Sequence, residues 1–334
     1  MKVIDAHAHV IPPALVDAMR DGLAPDGIRL EQQGNQTWVV HQQGYRYPLL
    51  DDFHDVATRL ETMDRHGIDA AVLSVAPPLF LYWIDPAAGA EAARLVNDAV
   101  ARMVEKAPDR FVGLATLPLQ NPAASVAELR RCVRTHGFRG AQIGPHAEGV
   151  PLDDERLRPV LAAAAELAVP LVVHPYYVGS SPGLDDFYLT NLQGNPWQTA
   201  VSASRLILSG TLDALPGLDI VLVHGGGHLP YQMGRLDHGY RVRPEARGCA
   251  HPPSDYARRF HYDTLTHNPA AARWLIEQVG TDRVVLGTDI PFDMGGGSLD
   301  AQLAGVDLTA DAKAEIAYAN VERLFGKIGG SEHA

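Results

Sequence analysis

Short unbroken apolar runs recur along the chain, each followed by a segment with helical spacing. The runs are KVIDAH (2–7), AAVLSV (70–75), FVGLATL (111–117), GAQIG (140–144), PLVVH (170–174), DIVLVH (219–224), FHYDT (260–264) and RVVLGTD (283–289). Gly, Pro or Asp bounds them, and they do not alternate polar with apolar. That is the pattern of strands covered on both faces. Between them lie helix-like segments such as DVATRLETMDRHG, AEAARLVNDAVARMVEKAP, SVAELRRCVRTHG and DERLRPVLAAAAELA, several of which stop at Gly or Pro. Eight β–α alternations predict an α/β fold, a closed (β/α)8 TIM-like barrel rather than an open sheet. One stretch breaks the rhythm. GIRLEQQGNQTWVVHQQGYRYPLL (27–50) has short β-type runs separated by GN and QG, which predicts a small antiparallel insertion after the first strand. With no repeat, low-complexity tract or linker in sight, residues 1–334 read as one barrel domain.

Composition narrows the partners. The net charge of −12 argues against a nucleic-acid or anionic-membrane surface, both of which call for a basic face. A small anionic substrate remains compatible, because a local arginine cluster can oppose the global charge. The two cysteines, Cys132 and Cys249, form no CxxC spacing and read as reduced thiols. The N-terminus has no long apolar stretch, and no window of about 18 apolar residues occurs elsewhere. A cytoplasmic protein is expected.

The ends of the runs carry the chemistry. His7 and His9 are two residues apart on one strand, so they project from the same face. At the C-terminal end of a barrel strand both aim into the mouth, where such barrels keep their active sites. An HxH alone is weak, since the chain has 15 histidines. Three other runs, however, end in His174, His224 and Asp289, all at the same rim. A cluster of this kind predicts a metal site. Two-metal barrels often need a bridging lysine, and Lys2, Lys106, Lys313 and Lys327 all lie away from strand ends; the fourth strand offers Gln142 and His146 instead. One divalent ion is therefore expected, held by His7, His9, His174 and Asp289. Three nitrogens and a carboxylate suit Zn2+, with Mn2+ or iron as alternatives. His224 is then a spare imidazole able to move a proton, with His228 its rival four residues on.

The motifs DAHAH, FVGLATLPLQ, GFRGAQIG, VVHP, LILSG, HGGGHLPYQMGR and LGTDIPF run from residue 5 to about residue 292. In this order they resemble the amidohydrolase superfamily, and more narrowly its aminocarboxymuconate-semialdehyde decarboxylase branch. The resemblance implies the same metal ligands, His7, His9, His174 and Asp289, with His224 as general acid/base. It implies Arg235 at the active site and Arg243 reaching the neighbouring subunit's site, hence a homodimer. It also implies the small β insertion. One departure stands out: where the family carries an arginine for the substrate carboxylate, this chain has Leu50 and Asp51, and its nearest arginine is Arg46. A different, planar carboxylic acid is expected. Phe80 and Trp83 in the loop after the second strand, Tyr176 or Tyr177 after His174, and Phe292 closing GTDIPF complete the expected substrate contacts. The expected activity is that of a metal-dependent, non-oxidative decarboxylase, a carbon–carbon lyase acting on a small unsaturated or aromatic acid. The proton would come from His224 or Asp289. The alternative on the same scaffold is a hydrolase or hydratase turning metal-activated water on a lactone, an amide or a double bond.

Overall fold

A computed structural model describes residues 1–176 and 182–329 of the chain. Its barrel strands are β1 (Ile4–Val10), β2 (Ala70–Val75), β3 in two parts (Phe111–Gly113 and Ala115–Thr116), β4 (Ala141–Ile143), β5 (Leu171–Val173), β6 (Ile220–Leu222), β7 (Phe260–Asp263) and β8 (Val284–Val285). Every pairing between neighbours is parallel, from β1 through β2 to the first part of β3, and from its second part through β4, β5, β6 and β7 to β8. Beyond β8 the chain turns to β1: Ala8 and Ile290 form a parallel bridge, and Ala6 N donates to Leu286 O at 2.8 Å and His9 N to Ile290 O at 2.9 Å. Ile4, Val72, Leu114, Val172, Val221 and Val285, drawn from strands around the ring, share one buried cluster. Val321, Leu324 and Phe325 of the helix Asn320–Phe325 pack into the same cluster.

Helices alternate with these strands as the spacing predicts. Their ends follow local chemistry. Asp55 caps Val56–His66 by accepting from Thr58 N at 2.8 Å, and Gly67 ends that helix in the left-handed region at φ 68°. Among the described residues, no helix is long and apolar enough to cross a membrane.

The stretch after β1 begins with a helix, Pro13–Arg20, and continues as three antiparallel strands, Ile28–Gln33, Gln36–His41 and Arg46–Pro48. Its buried face carries aromatic rings toward the barrel mouth. Tyr47 and Phe53 lie 5.4 and 5.1 Å from the Phe292 ring, centroid to centroid.

Two of the boundary differences from the sequence pattern matter most for chemistry. β1 extends to Val10, so His7 and His9 lie inside the strand. Its register slips between Asp5 (opposite Ala71) and Ala8 (opposite Leu73), so Ala6 and His7 fall in an irregularity of the kind that re-aims side chains beside active sites. β8 stops at Val285, short of the predicted 289, because Leu286 to Ile290 leave the β7 ladder to bond with β1. Asp289 therefore sits on irregular backbone at φ 59°.

Candidate metal centre

One side-chain atom each from His7, His9, His174 and Asp289 lies within 4.8 Å of all the others, and all four residues are buried. His9 Nε2 is 2.8 Å from Asp289 Oδ1, and His7 Nε2 is 3.0 Å from His9 Nε2 and 3.3 Å from that same oxygen. His174 Nε2 is 3.8 Å from it. Among the described residues, His174 Nε2 is buried without a hydrogen-bond partner. Leaving such a group unpaired in an interior is costly, by about 1–3 kcal/mol. A divalent cation among three imidazole nitrogens and a carboxylate satisfies all four at once, so the residues fit the metal that the sequence implied.

The far side of each imidazole is held. His7 Nδ1 is 2.7 Å from Asp263 Oδ2. His9 Nδ1 is 3.1 Å from Ser74 Oγ, which donates to Gln142 Oε1 at 2.8 Å. His174 Nδ1 faces the Pro175 carbonyl. Each contact fixes the tautomer that turns Nε2 inward. Burial pushes His9 down to about 4 and His174 well below its usual value, so both present bare nitrogens. Burial also opposes protonation of His7, yet Asp289 and Asp263 hold it up to about 10. That negative charge is what a bound cation would neutralise. Arg59, fully buried, ties the two ligand-bearing segments together: its guanidinium donates to the carbonyls of His9 and Ile290 (the latter at 3.2 Å) and pairs with Asp52 at 3.2 Å.

His224 stands beside this group. Its Nε2 is 3.7 Å from Asp289 Oδ2, and its ring centroid is 5.1 Å from that of His174. The backbone there is left-handed at His224 (φ 56°) and Gly225 (φ 61°). For a residue with a Cβ this is strained, and such strain concentrates at functional sites. The following glycine is needed for space as well, since a Cβ on Gly226 would lie 2.6 Å from the Tyr262 ring.

Two adjoining spaces open from the site. A small one of about 30 Å³ lies over the ligands, lined by Tyr45, Tyr176, Tyr188, Asn191, Asn195 and Phe292 among others. A larger one of about 350 Å³ opens past His224 and Asp289. Of the residues expected to meet substrate, Tyr176 and Phe292 line the small space, with the Phe292 ring 5.4 Å from His9. The others lie elsewhere. Phe80 is buried against Tyr82 and Tyr176 and lines neither space. Trp83 turns outward, donating to Asp26 O at 3.3 Å in a groove on the barrel's outside. Arg46 is exposed, 4.3 Å above the Trp38 ring and bonded to Gln33. Arg235 is exposed on the helix Leu229–Val242, and Arg243, just past its end, is exposed and paired with Glu245. Among the described residues, no Arg or Lys lines either space. Tyr177 lies outside the described residues. His228 lines the larger space, half-buried, rather than facing the ligands.

Several contributors were not anticipated. Asp263 and Ser74 had a visible signal, a polar residue inside or ending an apolar run. Tyr45, Tyr188, Asn191 and Asn195 had none, because they sit in segments without periodicity and meet only in three dimensions.

With the barrel and its buried ligand group in place, the class is defined: the chain belongs to the amidohydrolase family, whose model matches residues 4–327. It is 35% identical over 298 residues to the 2-amino-3-carboxymuconate-6-semialdehyde decarboxylase of Dictyostelium discoideum, across 87% of this chain and 82% of that protein. It is also 35% identical over 288 residues to the gamma-resorcylate decarboxylase of Rhizobium radiobacter, across 80% of this chain and 86% of the relative. Among solved structures, the dihydroxybenzoic acid decarboxylase of Polaromonas sp. JS666, with bound manganese and the inhibitor 2-nitroresorcinol, matches with a TM-score of 0.77 at 27% identity, covering 97% of this chain and 96% of its own. The chain is a metal-dependent carboxy-lyase of this family, the activity that the motif resemblance implied.

Proposed function

We propose that this enzyme releases CO2 from a hydroxylated aromatic monocarboxylic acid, with His224 delivering the proton that replaces it. The carrying observation is a division of labour in the geometry. Four side-chain atoms converge on one another, while His224 stands outside them on the wall of the open space. When bound, the metal supplies positive charge that holds and orients the substrate's oxygens. Asp289 turns Oδ1 toward His7 and His9 and Oδ2 toward His224, so it fixes where the imidazole edge lies. The carbon–carboxylate bond breaks, its electron pair stays on the ring carbon, and that carbon takes the proton from His224. One carboxylate and one proton thus give one arene and one CO2, with no oxidant. Tyr45, Tyr188, Asn191 and Asn195 offer neutral hydrogen-bonding groups suited to hydroxyls. Among the described residues, no Arg or Lys of the same chain lines either space to pair with a second buried carboxylate, whose burial unpaired is costly. The gamma-resorcylate relative supports the aromatic reading. CO2 release by the metal-loaded protein is expected from hydroxybenzoates and not from muconate-type dicarboxylates. Release from the dicarboxylates alone would overturn this substrate class.

The same reading includes a homodimer in which Arg235 and Arg243 serve the neighbour's site. Tyr231, Arg235, His238 and Val242 recur at helical spacing on one exposed face, and Tyr231 and Val242 are 79% and 54% exposed. A face with exposed large apolar side chains is the kind that a second copy covers in a two-fold assembly. Mixing an inactive His224→Ala chain with an inactive Arg235→Ala/Arg243→Ala chain, under subunit exchange, is expected to restore part of the activity. Demonstrated exchange without recovery would remove the shared site. The cytoplasmic assignment rests on the two unpaired, buried cysteines, Cys132 and Cys249.

A further inference from the structure

We propose that the larger space beside the metal group is a separate subsite, built for a neutral, carbon-rich substituent on the substrate ring, opposite its carboxylate. The inference rests on the decarboxylase reading and specifies its substrate.

The two spaces have unequal capacity. About 30 Å³ lies directly over the ligands. On the measure by which a water needs roughly 10–15 Å³, that holds a carboxylate-sized group and no ring. The adjoining space is about 350 Å³, inside the range of small-molecule sites. His224, Asp289, Asn191, Asn195 and Met294 line both, so the two spaces adjoin at these residues. A ring whose carboxylate is seated at the ligands must extend into the larger space, and so must whatever it carries on its far side.

The walls state the chemistry of that substituent. Leu265, Leu275, Pro230 and Trp274 give it carbon surface, and Thr266 and His228 add polar edges. Asp289, at the inner end, is the one carboxylate among the described lining residues, and no ammonium or guanidinium accompanies it. Among the described residues, a second carboxylate or a phosphate would find no Arg or Lys of the same chain here. An alkyl or aryl group would gain about fourfold in affinity per buried methylene. The outer rim is aromatic, with the Tyr231 and Trp274 rings 6.3 Å apart. The loop after β7 that forms this wall holds His267 at φ 53°, a strained left-handed conformation beside the one at His224.

Dissociation constants measured by calorimetry on the metal-loaded His224→Ala protein, which holds ligand without consuming it, test the proposal. The probes are 2-hydroxybenzoate and its 4-ethyl, 4-phenyl and 4-carboxy derivatives. The 4-ethyl acid is expected to bind about tenfold tighter than the parent, and the 4-carboxy acid weaker than the parent. Adding Trp274→Ala is expected to erase the 4-ethyl and 4-phenyl gain while leaving the parent within about twofold. Ala271→Trp, a plug at the rim, should exclude the 4-phenyl acid and keep the parent. Both positions are exposed on the helix Pro269–Val279, so neither change opens the core, and retained metal content confirms an intact site. Equal affinity for all four acids, or a Trp274→Ala loss as large for the parent as for the 4-ethyl acid, would overturn the subsite. If the wild-type enzyme releases no CO2 from any hydroxybenzoate, the hydroxyaromatic substrate class fails. The binding pattern still decides the subsite on its own.

Discussion

His224→Ala is expected to keep its metal and lose about a hundredfold to ten-thousandfold in turnover, the usual contribution of a positioned acid or base. His174→Ala is expected to lose the metal itself. The contrast follows from where the two nitrogens lie. His174 Nε2 is buried, without a hydrogen-bond partner among the described residues, and inside the group of four converging atoms. His224 Nε2 approaches the same carboxylate from outside, 3.7 Å from its second oxygen, on the wall of a space large enough for substrate. Removing His174 takes away one of three nitrogen ligands. Removing His224 leaves all four ligands and their outer partners untouched. Elemental analysis of each variant, purified without chelators, separates the roles, with about one equivalent expected in wild type and in His224→Ala. If His224→Ala came out empty, His224 would be a ligand and the proton-transfer role would be wrong. Turnover within a few-fold of wild type would remove that role equally.

What could be read along the chain was whatever repeats with a fixed period. Unbroken apolar runs marked the barrel strands, and the spacing of His7 and His9 placed two imidazoles on one face. The ends of runs flagged His174, His224 and Asp289. What escaped was set by geometry with no period. Arg46 looked close to the place of a missing substrate arginine, but the hairpin register puts it opposite Val40 and Tyr47 opposite Val39. Alternation along that strand turns Tyr47 inward, so Arg46 must point to solvent. Phe80 and Trp83 share a loop with Tyr82. The loop buries Phe80 and Tyr82 together and leaves Trp83 for the outer groove. Arg59 showed only as a basic residue in a helical repeat, and nothing local reveals that its guanidinium reaches the carbonyls of His9 and Ile290. Asp263 is the instructive miss. It carries the same mark as Asp289, an acid at the end of an apolar run, yet its carboxylate lies behind a ligand rather than among the ligands.

That position gives Asp263 a sharp test. Asp263→Asn is expected to weaken metal binding by about tenfold to a hundredfold, the range for groups that orient a metal's histidines, with little change in global stability. Asp263 is fully buried, and each of its oxygens has a separate task. Oδ1 accepts from Gly225 N at 2.7 Å and from Leu265 N at 3.2 Å, holding the turn that presents His224. Oδ2 meets His7 Nδ1 at 2.7 Å. Asparagine has the same shape, and its oxygen can keep both backbone bonds, so the turn and the packing survive. Its amide nitrogen must then face His7 Nδ1 as a donor. Two donors cannot share one contact, so Nδ1 has to give up its hydrogen. The neutral ring then carries its proton on Nε2, the atom aimed at the other ligands, and a protonated nitrogen cannot bind a metal. Asp263→Ala removes both tasks and is expected to loosen the His224 turn as well, costing turnover even at saturating metal. Competition with a chelator measures the affinity of each variant, and urea unfolding checks that the fold is intact. An Asp263→Asn protein that binds metal as tightly as wild type would show that the His7 tautomer is set by something other than this carboxylate.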